Sequence, residues 1–387
     1  MQTPIPYGRQ HITEEDIQMV VETLQGDFLT QGPKIAEFEN AFANYTGARY
    51  AVAVSNGTAA LHLCAMALDV NTDSHVITTP ITFAASANCV RYCGGHVHFV
   101  DIHPETYLMD VEKLRILLES KPKGYFKGVI PVDFAGLPNN LEAIRQLANE
   151  YNLWIIEDAC HAPGGYFEDS KGVKQLCGNG HYAELAIFSF HPVKHIATGE
   201  GGMITTNDEK LYQKLLLLRT HGITKDPALL EENHGGWYYE MQTLGYNYRI
   251  PDVLCALGLS QLKRAEAGLA RRKEIAEHYL QAFTKVEGIQ IQPKALHTGH
   301  AFHLFVIQVQ NRLGLYNHLR SKGIFAQVHY IPVHLFPYYK SLGFKEGDFP
   351  LAEAYYKNCL SLPMYPTLTK EQQDYVITEV ISFVNGR

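Results

Sequence analysis

The sequence predicts an α/β protein with a mostly parallel sheet flanked by helices, followed by a smaller α+β domain. Short β-branched or apolar runs alternate with helix-period segments through the first two thirds of the chain. Near residue 250 the pattern changes to long helical material, and a strand-like run follows at 303–310. Such alternation favours a parallel sheet covered on both faces. We therefore expect an N-terminal arm at 1–15, a large domain at 16–250 and a small C-terminal domain at 251–387.

The predicted strands of the large domain are short and rich in β-branched residues: YAVAVS (50–55), HVITTP (75–80), HVHFVD (96–101), GVIPVDF (128–134), LWIIEDA (153–159), LAIFSF (185–190) and GGMITT (201–206). The helix-period segments between them are TAALHLCAMAL (58–68), VEKLRILLES (111–120) and LEAIRQLANEY (141–151). No helix separates the last two strands, which predicts at least one antiparallel pair or a tight connection there. Helical periodicity from 254 to 283 predicts a long helix leading into the small domain.

Composition limits the function classes. The chain has 387 residues, a net charge of -7, 46% hydrophobic residues and 19% charged residues, which is typical of a globular enzyme and argues against a nucleic-acid partner. Seven cysteines, odd in number and scattered, indicate a reducing compartment. No apolar run has the length of a membrane span, and the N-terminus lacks a signal-peptide core. We expect a cytoplasmic enzyme without a membrane partner.

In an α/β sheet, ligands bind beyond the carboxyl ends of the strands. The first such end reads AVAVSNGT, where Gly57 makes a turn and Thr58 begins a helix. Free amides there can bind a phosphate, although an ordinary helix cap gives the same pattern. Phe83 follows the next strand and could stack on a flat ring or belong to the core. Neither a GxGxxG nor a P-loop motif is present, so a nucleotide site of those types is not supported.

The third strand end delivers Glu157 and Asp158 after five apolar residues, with His161 three positions further on. A buried carboxylate there needs a cationic or hydrogen-bonding partner. The Asp-x-x-His spacing also suits a metal-ligand pair, an acid–base pair or simple helix capping.

The fourth end is SFHPVKHIATGEGG, in which Ser189 closes a strand and Lys194 follows on a loop. Taken alone, a lysine at such a place is more often a surface charge. Together, however, the four ends offer a phosphate site, an aromatic ring, a carboxylate and a lysine. Pyridoxal 5'-phosphate needs one group of each kind, so the combination predicts this cofactor. No metal is expected.

An ordered set of motifs resembles the DegT/StrS type of sugar-nucleotide aminotransferase: DFLTQGPKIAEFENAFANYTGARYAVAVSNGTAALHL, TTPITFAASAN, EDACHAPGG, SFHPVKHIATGEGGMITTND, LRTHGI, GYNYRIPDVLCALGLSQL and QVHYIPVH. Within that family, LTQG, ITFAASAN, FSFHPVKHI and AQVHYIPVH are most similar to members that act in pseudaminic acid biosynthesis. The resemblance implies the pyridoxal phosphate-dependent transferase fold type I. It also implies an obligate homodimer with shared active sites.

Residue roles follow from the resemblance by motif. Lys194 would bind the cofactor aldehyde as a Schiff base and act as the catalytic residue, and Asp158 would face the pyridine nitrogen. The remaining cofactor contacts would be Gly57, Thr58, Phe83, His161, Ser189 and, in the partner subunit's site, Asn247. The substrate contacts would be Tyr7, Asp27, Phe28, Leu29, Thr30, Arg249, Gln327, Val328, His329 and Tyr330.

The implied reaction moves an amino group, expected to come from L-glutamate, to C4 of a UDP-linked 4-keto-6-deoxy-N-acetylhexosamine. Lysine suits this chemistry because its amine exchanges with an incoming amino group. Other keto nucleotide sugars are alternative acceptors. A non-catalytic cofactor-binding regulator would need a DNA-binding element, which the sequence lacks. A metal enzyme built on Asp158 and His161 has no further ligand motif to support it.

Overall fold

The protein is described by a computed structural model that covers residues 4–292 and 298–386. The first residues of the predicted arm and part of the predicted small domain lie outside these ranges. Among the described residues, no helix combines the length and the apolarity that a membrane-spanning segment requires.

The helices are α1 (Glu14–Gln25), α2 (Pro33–Thr46), α3 (Gly57–Ala67), α4 (Ala85–Tyr92), α5 (Val111–Glu119), α6 (Leu141–Tyr151), α7 (Glu209–Arg219), α8 (Asp252–Lys263), α9 (Ala265–Phe283), α10 (Arg312–Ser321), α11 (Pro337–Lys340), α12 (Pro350–Asn358) and α13 (Lys370–Val384). The strands are β1 (Ile5–Pro6), β2 (Tyr50–Val54), β3 (His75–Thr78), β4 (His96–Phe99), β5 (Phe126–Ile130), β6 (Trp154–Asp158), β7 (Tyr166–Glu168), β8 (Lys174–Leu176), β9 (Leu185–Ser189), β10 (Gly202–Thr206), β11 (Ile223–Thr224), β12 (Glu240–Met241), β13 (Gln290–Ile291), β14 (Thr298–Gly299), β15 (Phe305–Gln308), β16 (Ile324–Phe325) and β17 (Cys359–Leu362).

A seven-stranded sheet with the order β2-β10-β9-β6-β5-β3-β4 forms the centre of the molecule. Strands β9, β6, β5, β3 and β4 pair in parallel, whereas β10 is antiparallel to both β2 and β9. The predicted mostly parallel sheet and the predicted antiparallel pair are both confirmed. Because β3, β5, β6 and β9 are parallel, their carboxyl ends meet at one edge of the sheet.

Both faces of the sheet are buried, which explains the nearly continuous apolar runs in its strands. Along β9, Leu185 and Ile187 join a core cluster with residues of α3 and α4. The alternate residues Ala186 and Phe188 join a second cluster that includes residues of α2 and α8. Side chains on a strand alternate between faces, so one short apolar strand supplies two cores.

The C-terminal part has its own antiparallel sheet with the order β13-β15-β17. Its core cluster combines Tyr279 and Phe283 of α9, Phe305 of β15 and Val380 of α13. The N-terminal strand β1 pairs in parallel with β16. The N-terminal segment is therefore joined to the C-terminal part of the chain.

The long helix predicted from residue 254 onward is in fact two helices. Helix α8 ends at Lys263 and α9 begins at Ala265, and the intervening Arg264 has φ -113° and ψ 13°. The Arg264 guanidinium binds the carboxylate of Asp16 and the carbonyl oxygen of His11. The helical apolar period continues across this break without a glycine or proline, so the sequence carries no signal for it.

Candidate active site

A cavity of about 680 Å³ opens at the carboxyl ends of the parallel strands. It gathers residues that are far apart in the sequence, and among them are ten of the predicted site residues: Tyr7, Gly57, Thr58, Phe83, Asp158, His161, Ser189, Lys194, His329 and Tyr330. The central lysine, the carboxylate and the helix start thus share one cavity, as the four strand ends predicted.

The first wall of the cavity is the start of α3. Asn56 caps this helix by accepting from the Ala59 amide at 2.8 Å, whereas the amides of Gly57 and Thr58 precede any intrahelical partner. A Cβ placed on Gly57 would lie 3.1 Å from the Ser189 Cβ. Two free amides, a helix dipole and a serine hydroxyl in such proximity form a site for a phosphate.

Close packing of β10 against this turn requires a glycine. A Cβ on Gly202 would lie 2.6 Å from the carbonyl carbon and oxygen of Asn56 and 2.9 Å from the Gly57 amide nitrogen. Any side chain at 202 would push the turn away from the strand. The glycine cluster that follows the lysine therefore allows the close approach of β10 to the phosphate-type site.

Asp158 is the last residue of β6 and is only 5% exposed. Its Oδ2 accepts from the Ser86 hydroxyl at 2.6 Å, and its Oδ1 accepts from the Cys160 amide at 3.2 Å. Burial, followed by the charge of Asp158, raises the pKa of the Cys160 thiol well above its ordinary value. The carboxylate at the cavity floor is held by hydrogen-bond donors rather than by a salt bridge.

Lys194 lies on the loop between β9 and β10. This loop is closed by backbone hydrogen bonds from Phe190 to Gly201 and from Thr198 to Phe190, each 2.9 Å long. His195 donates through Nε2 to the Ala301 carbonyl at 2.8 Å and so ties the loop to the C-terminal part. Burial lowers the pKa of the Lys194 amine, while Cys160 and Asp158 oppose that shift. A neutral amine is the form that can act as a nucleophile and a base.

His161 is buried beside the carboxylate. Its Nδ1 accepts from the Ala135 amide at 3.2 Å, which leaves the proton of a neutral ring on Nε2, and this atom lies 3.1 Å from the Tyr330 hydroxyl. Burial, with a smaller contribution from Lys194, lowers the pKa of His161 well below its ordinary value. His161 is therefore a neutral hydrogen-bond donor toward the cavity.

Three aromatic residues shape the outer part of the cavity. Phe83 is 62% exposed, and its ring centroid lies 6.3 Å from that of Tyr330. His329 is buried, its Nδ1 lies 2.8 Å from the Ser361 hydroxyl, and burial lowers its pKa to about 3. Phe83 does not belong to the core, which was the ordinary alternative for an aromatic at this strand end.

The other predicted site residues do not line this cavity within one chain. They are Asp27, Phe28, Leu29, Thr30, Asn247, Arg249, Gln327 and Val328. Residues 27–30 and Asn247 are exposed, and Arg249 lines a separate cleft beside Arg219 and Glu39. Their predicted roles therefore depend on a partner subunit or on a larger ligand.

The predicted site residues do not include eight further polar residues of the cavity: Asn56, Thr82, Ser86, Tyr92, Cys160, His191, Glu200 and Tyr248. Asn56 and Cys160 adjoin predicted residues, so their neighbourhood alone could have indicated them. Tyr248 stands between Asn247 and Arg249, and its hydroxyl lies 3.1 Å from Nδ1 of His62. Ser86 resembles an ordinary helix serine, and no sequence signal could have indicated its contact with Asp158.

The cavity fits pyridoxal 5'-phosphate. The helix start and Ser189 would hold the phosphate, Phe83 would lie along the ring, and Asp158 would stand at the ring nitrogen. Phe83 presents a large exposed aromatic surface to the cavity, and the Gly57 and Thr58 amides have no acceptor within the helix. An α/β sheet with this cavity at its carboxyl edge defines a pyridoxal phosphate-dependent transferase of fold type I.

Comparison with known proteins gives the family. A model of the DegT/DnrJ/EryC1/StrS aminotransferase family matches residues 10–381, so the chain belongs to this family and is an aminotransferase. The resemblance noted in the sequence is thereby confirmed.

Two curated relatives match over nearly their full length. The chain is 39% identical to the spore coat polysaccharide biosynthesis protein SpsC of Bacillus subtilis, over 99% of this chain and 97% of the relative. It is 36% identical to the UDP-4-amino-4,6-dideoxy-N-acetyl-beta-L-altrosamine transaminase of Campylobacter jejuni, over 98% and 97%.

Two solved structures share the fold over at least 99% of each chain. The PLP form of Spr1654 from Streptococcus pneumoniae, described as a sugar aminotransferase, has a TM-score of 0.89 and 30% identity. PseC of Helicobacter pylori, an aminotransferase involved in the biosynthesis of pseudoaminic acid, has a TM-score of 0.89 and 28% identity. The family and the PLP form together identify pyridoxal phosphate as the cofactor.

Proposed function

We propose that this chain transfers an amino group from L-glutamate to C4 of a UDP-linked 4-keto-6-deoxy-N-acetylhexosamine. The product would be UDP-4-amino-4,6-dideoxy-N-acetyl-β-L-altrosamine, a step in pseudaminic acid biosynthesis. The observation that carries the chemistry is the convergence of Lys194, Asp158 and the α3 start in one cavity. The full-length similarity to the Campylobacter jejuni transaminase supports the acceptor.

Pyridoxal phosphate, when bound, supplies an aldehyde that carries the amino group and a ring that accepts electrons. With the cofactor bound, the Lys194 amine would remove the proton from the α-carbon of the donor and would deliver a proton to the carbon of the cofactor aldehyde. Its lowered pKa, caused by burial, favours the neutral amine that this role needs. Asp158 keeps a proton at the ring nitrogen.

The remaining cavity residues orient the reactants. The Gly57 and Thr58 amides and the Ser189 hydroxyl would bind the phosphate, and Phe83 would pack on the ring face. His161, whose Nε2 lies 3.1 Å from the Tyr330 hydroxyl, would be the neighbour of the cofactor's ring hydroxyl. Tyr7 and His329 lie at the side of the cavity where a sugar would enter, with their rings 5.1 Å apart.

We infer that six of the predicted residues outside this cavity, residues 27–30 with Asn247 and Arg249, act across a homodimer. Asn247 is exposed and would reach the phosphate of the partner subunit, and residues 27–30 with Arg249 would contact the nucleotide sugar there. Gln327, which forms an isolated bridge with Ser361, and Val328 would contact the sugar of their own subunit from the segment that leads to His329. A cytoplasmic location follows from the supply of UDP-sugars and glutamate.

A direct assay tests the function. The protein is incubated with L-glutamate and the UDP-4-keto sugar, 2-oxoglutarate is measured, and the aminated sugar is identified by mass and NMR. Formation of 2-oxoglutarate with amination at C4 is expected, and its absence with this acceptor would contradict the proposal. The matched control is Lys194→Ala, which should give no product.

A different keto nucleotide sugar is the second candidate acceptor. The similarity to SpsC, whose name refers to spore coat polysaccharide, favours keeping this alternative. Parallel incubations with 3-keto and other 4-keto nucleotide sugars distinguish the two candidates. A turnover that is higher with one of these would replace the proposed acceptor while leaving the aminotransferase chemistry in place.

A further inference from the structure

A chain of hydroxyl groups leads to the carboxylate at the cavity floor. Ser86, in α4, is fully buried, and its Oγ donates to Asp158 Oδ2 at 2.6 Å. The Thr82 Oγ1 lies 2.7 Å from the same Ser86 Oγ. A serine hydroxyl has one proton, so Ser86 can donate to Asp158 only while it accepts from Thr82. The three side chains therefore form a directed chain from Thr82 through Ser86 to Asp158.

We propose that Ser86 is a positioning residue for the aminotransferase reaction, which fixes the rotation of the Asp158 carboxylate toward the ring nitrogen of the cofactor. The inference rests on the proposed role of Asp158. The terminal torsion of an aspartate is soft, so an unheld carboxylate can rotate in its site. Here each oxygen has its own donor, because Ser86 holds Oδ2 and the Cys160 amide holds Oδ1.

Ser86 lies between the cavity and an apolar core. Its neighbours Ala85 and Ala87 and the nearby Val90 and Cys89 of α4 are all buried in the core cluster under the cavity. A hydroxyl in such a place is costly unless it is hydrogen-bonded. The two short hydrogen bonds to Thr82 and Asp158 supply that compensation and bind α4 to the end of β6.

The test compares Ser86→Ala with Ser86→Thr, with Ser260→Ala as the matched control, because Ser260 is also a buried helix serine. Cofactor affinity is measured by equilibrium dialysis of the apoprotein, and orientation by the visible circular dichroism per bound cofactor. Loss of one hydrogen bond to a charged group should weaken cofactor binding about tenfold. Ser86→Ala should also lose visible dichroism. Its kcat should fall by a larger factor than the factor by which its KM for the sugar changes.

Ser86→Thr keeps the hydroxyl and should restore both signals, and Ser260→Ala should match the wild type. Wild-type affinity and dichroism in Ser86→Ala would overturn the inference. If Ser86→Ala does not fold, Thr82→Val provides the test. Reduced dichroism is expected, and an unchanged signal would contradict the chain of hydroxyl groups.

Asp158→Asn separates this inference from the proposed function. If Asp158→Asn loses dichroism and activity while Ser86→Ala changes nothing, only the role of Ser86 is wrong. If Asp158→Asn itself keeps wild-type binding, dichroism and turnover, the assignment of the carboxylate is wrong and the inference falls with it.

Discussion

At the scale of single residues, Lys194 combines a flexible side chain with a fixed backbone. The loop that carries it is closed on itself and anchored by His195, and burial lowers the pKa of its amine. The lysine therefore starts from a defined point and still has four methylene groups with which to reach successive atoms of a reactant.

We predict that Lys194→Ala abolishes amino transfer. The alanine has no amine to exchange or to carry a proton, so the visible absorption band of the bound cofactor should change position and turnover should fall by at least about 10⁴-fold. Absorption spectra and single-turnover kinetics measure both effects. The wild-type band should survive a metal chelator, and its persistence in the variant would contradict the role of the lysine.

A second group of residues lies on the other side of β6 from the cavity. The side chains of Asp133, Glu157 and Cys177 are buried. Their carboxylate oxygens and the Cys177 Sγ lie within 4.8 Å of one another. Burial raises the pKa of Asp133 to about 6, and burial together with Asp133 raises the pKa of Glu157. The folded protein thus binds a proton that the unfolded chain releases near pH 4, so stability falls as pH rises through about 4 to 6.

Asp133→Asn should raise the free energy of unfolding at pH 8. The asparagine side chain is neutral at every pH and keeps one oxygen. In the wild type, Asp133 Oδ1 accepts from the backbone amide and from the side-chain amide of Asn139, at 2.8 and 2.9 Å. We expect a gain of roughly 1–3 kcal/mol at pH 8 that shrinks toward pH 4. Urea unfolding at several pH values measures it, with the exposed Asp73→Asn as control. A variant less stable than the wild type at pH 8 would refute this account.

At the scale of elements, helix α2 takes its cap from a distant residue. Gly32 precedes the helix without a side chain, and a Cβ there would lie 2.7 Å from Asp252 Oδ1. The buried Asp252, at the start of α8, accepts from the Gly32 amide at 2.8 Å and the Lys34 amide at 3.0 Å. One carboxylate thus stabilises the N-terminal ends of two helices.

Replacing Asp252 with alanine should leave two amides without an acceptor and cost about 2–4 kcal/mol of folding free energy. Asp252→Asn keeps one oxygen acceptor and should cost less. Chemical denaturation of the three proteins measures the series. An equal loss in both variants would show that packing, rather than the cap, dominates at this position.

The elements also show what the sequence can predict. Each strand predicted in the first two thirds of the chain is present. The signals used, which are apolar runs and their alternation with helical segments, depend on residues close together in the sequence. The break at Arg264 and the remote cap by Asp252 were not predictable, since both depend on contacts between segments far apart in the chain. For the same physical reason, Lys194 and Asp158 were found at strand ends, whereas Ser86 was missed inside an apolar helix.

At the scale of the whole molecule, three large apolar side chains that lie close in the sequence are exposed. Trp237, Met241 and Leu244 are 75%, 63% and 72% exposed, and they precede Asn247 in the chain. Coverage of these side chains by the second copy would be in keeping with the proposed homodimer.

Mixed dimers test the shared sites. Lys194→Ala and Asn247→Asp should each be inactive alone, the second because a carboxylate would face the phosphate of the partner's site. After the two are unfolded and refolded together, each mixed dimer has one intact site, so about a quarter of the wild-type activity should return. Failure to recover activity, with dimers verified by ultracentrifugation, would exclude sites shared through Asn247.

The position of β10 between β2 and β9 has a consequence for how the protein is made. Strand β2 ends at Val54, whereas β10 begins at Gly202, so the ribosome must add the whole intervening chain before these two edges can be bridged. The lysine loop emerges immediately before the bridging strand. A nascent chain that stops short of Gly202 consequently lacks the strand that joins β2 to the rest of the sheet and that packs against the phosphate-type site.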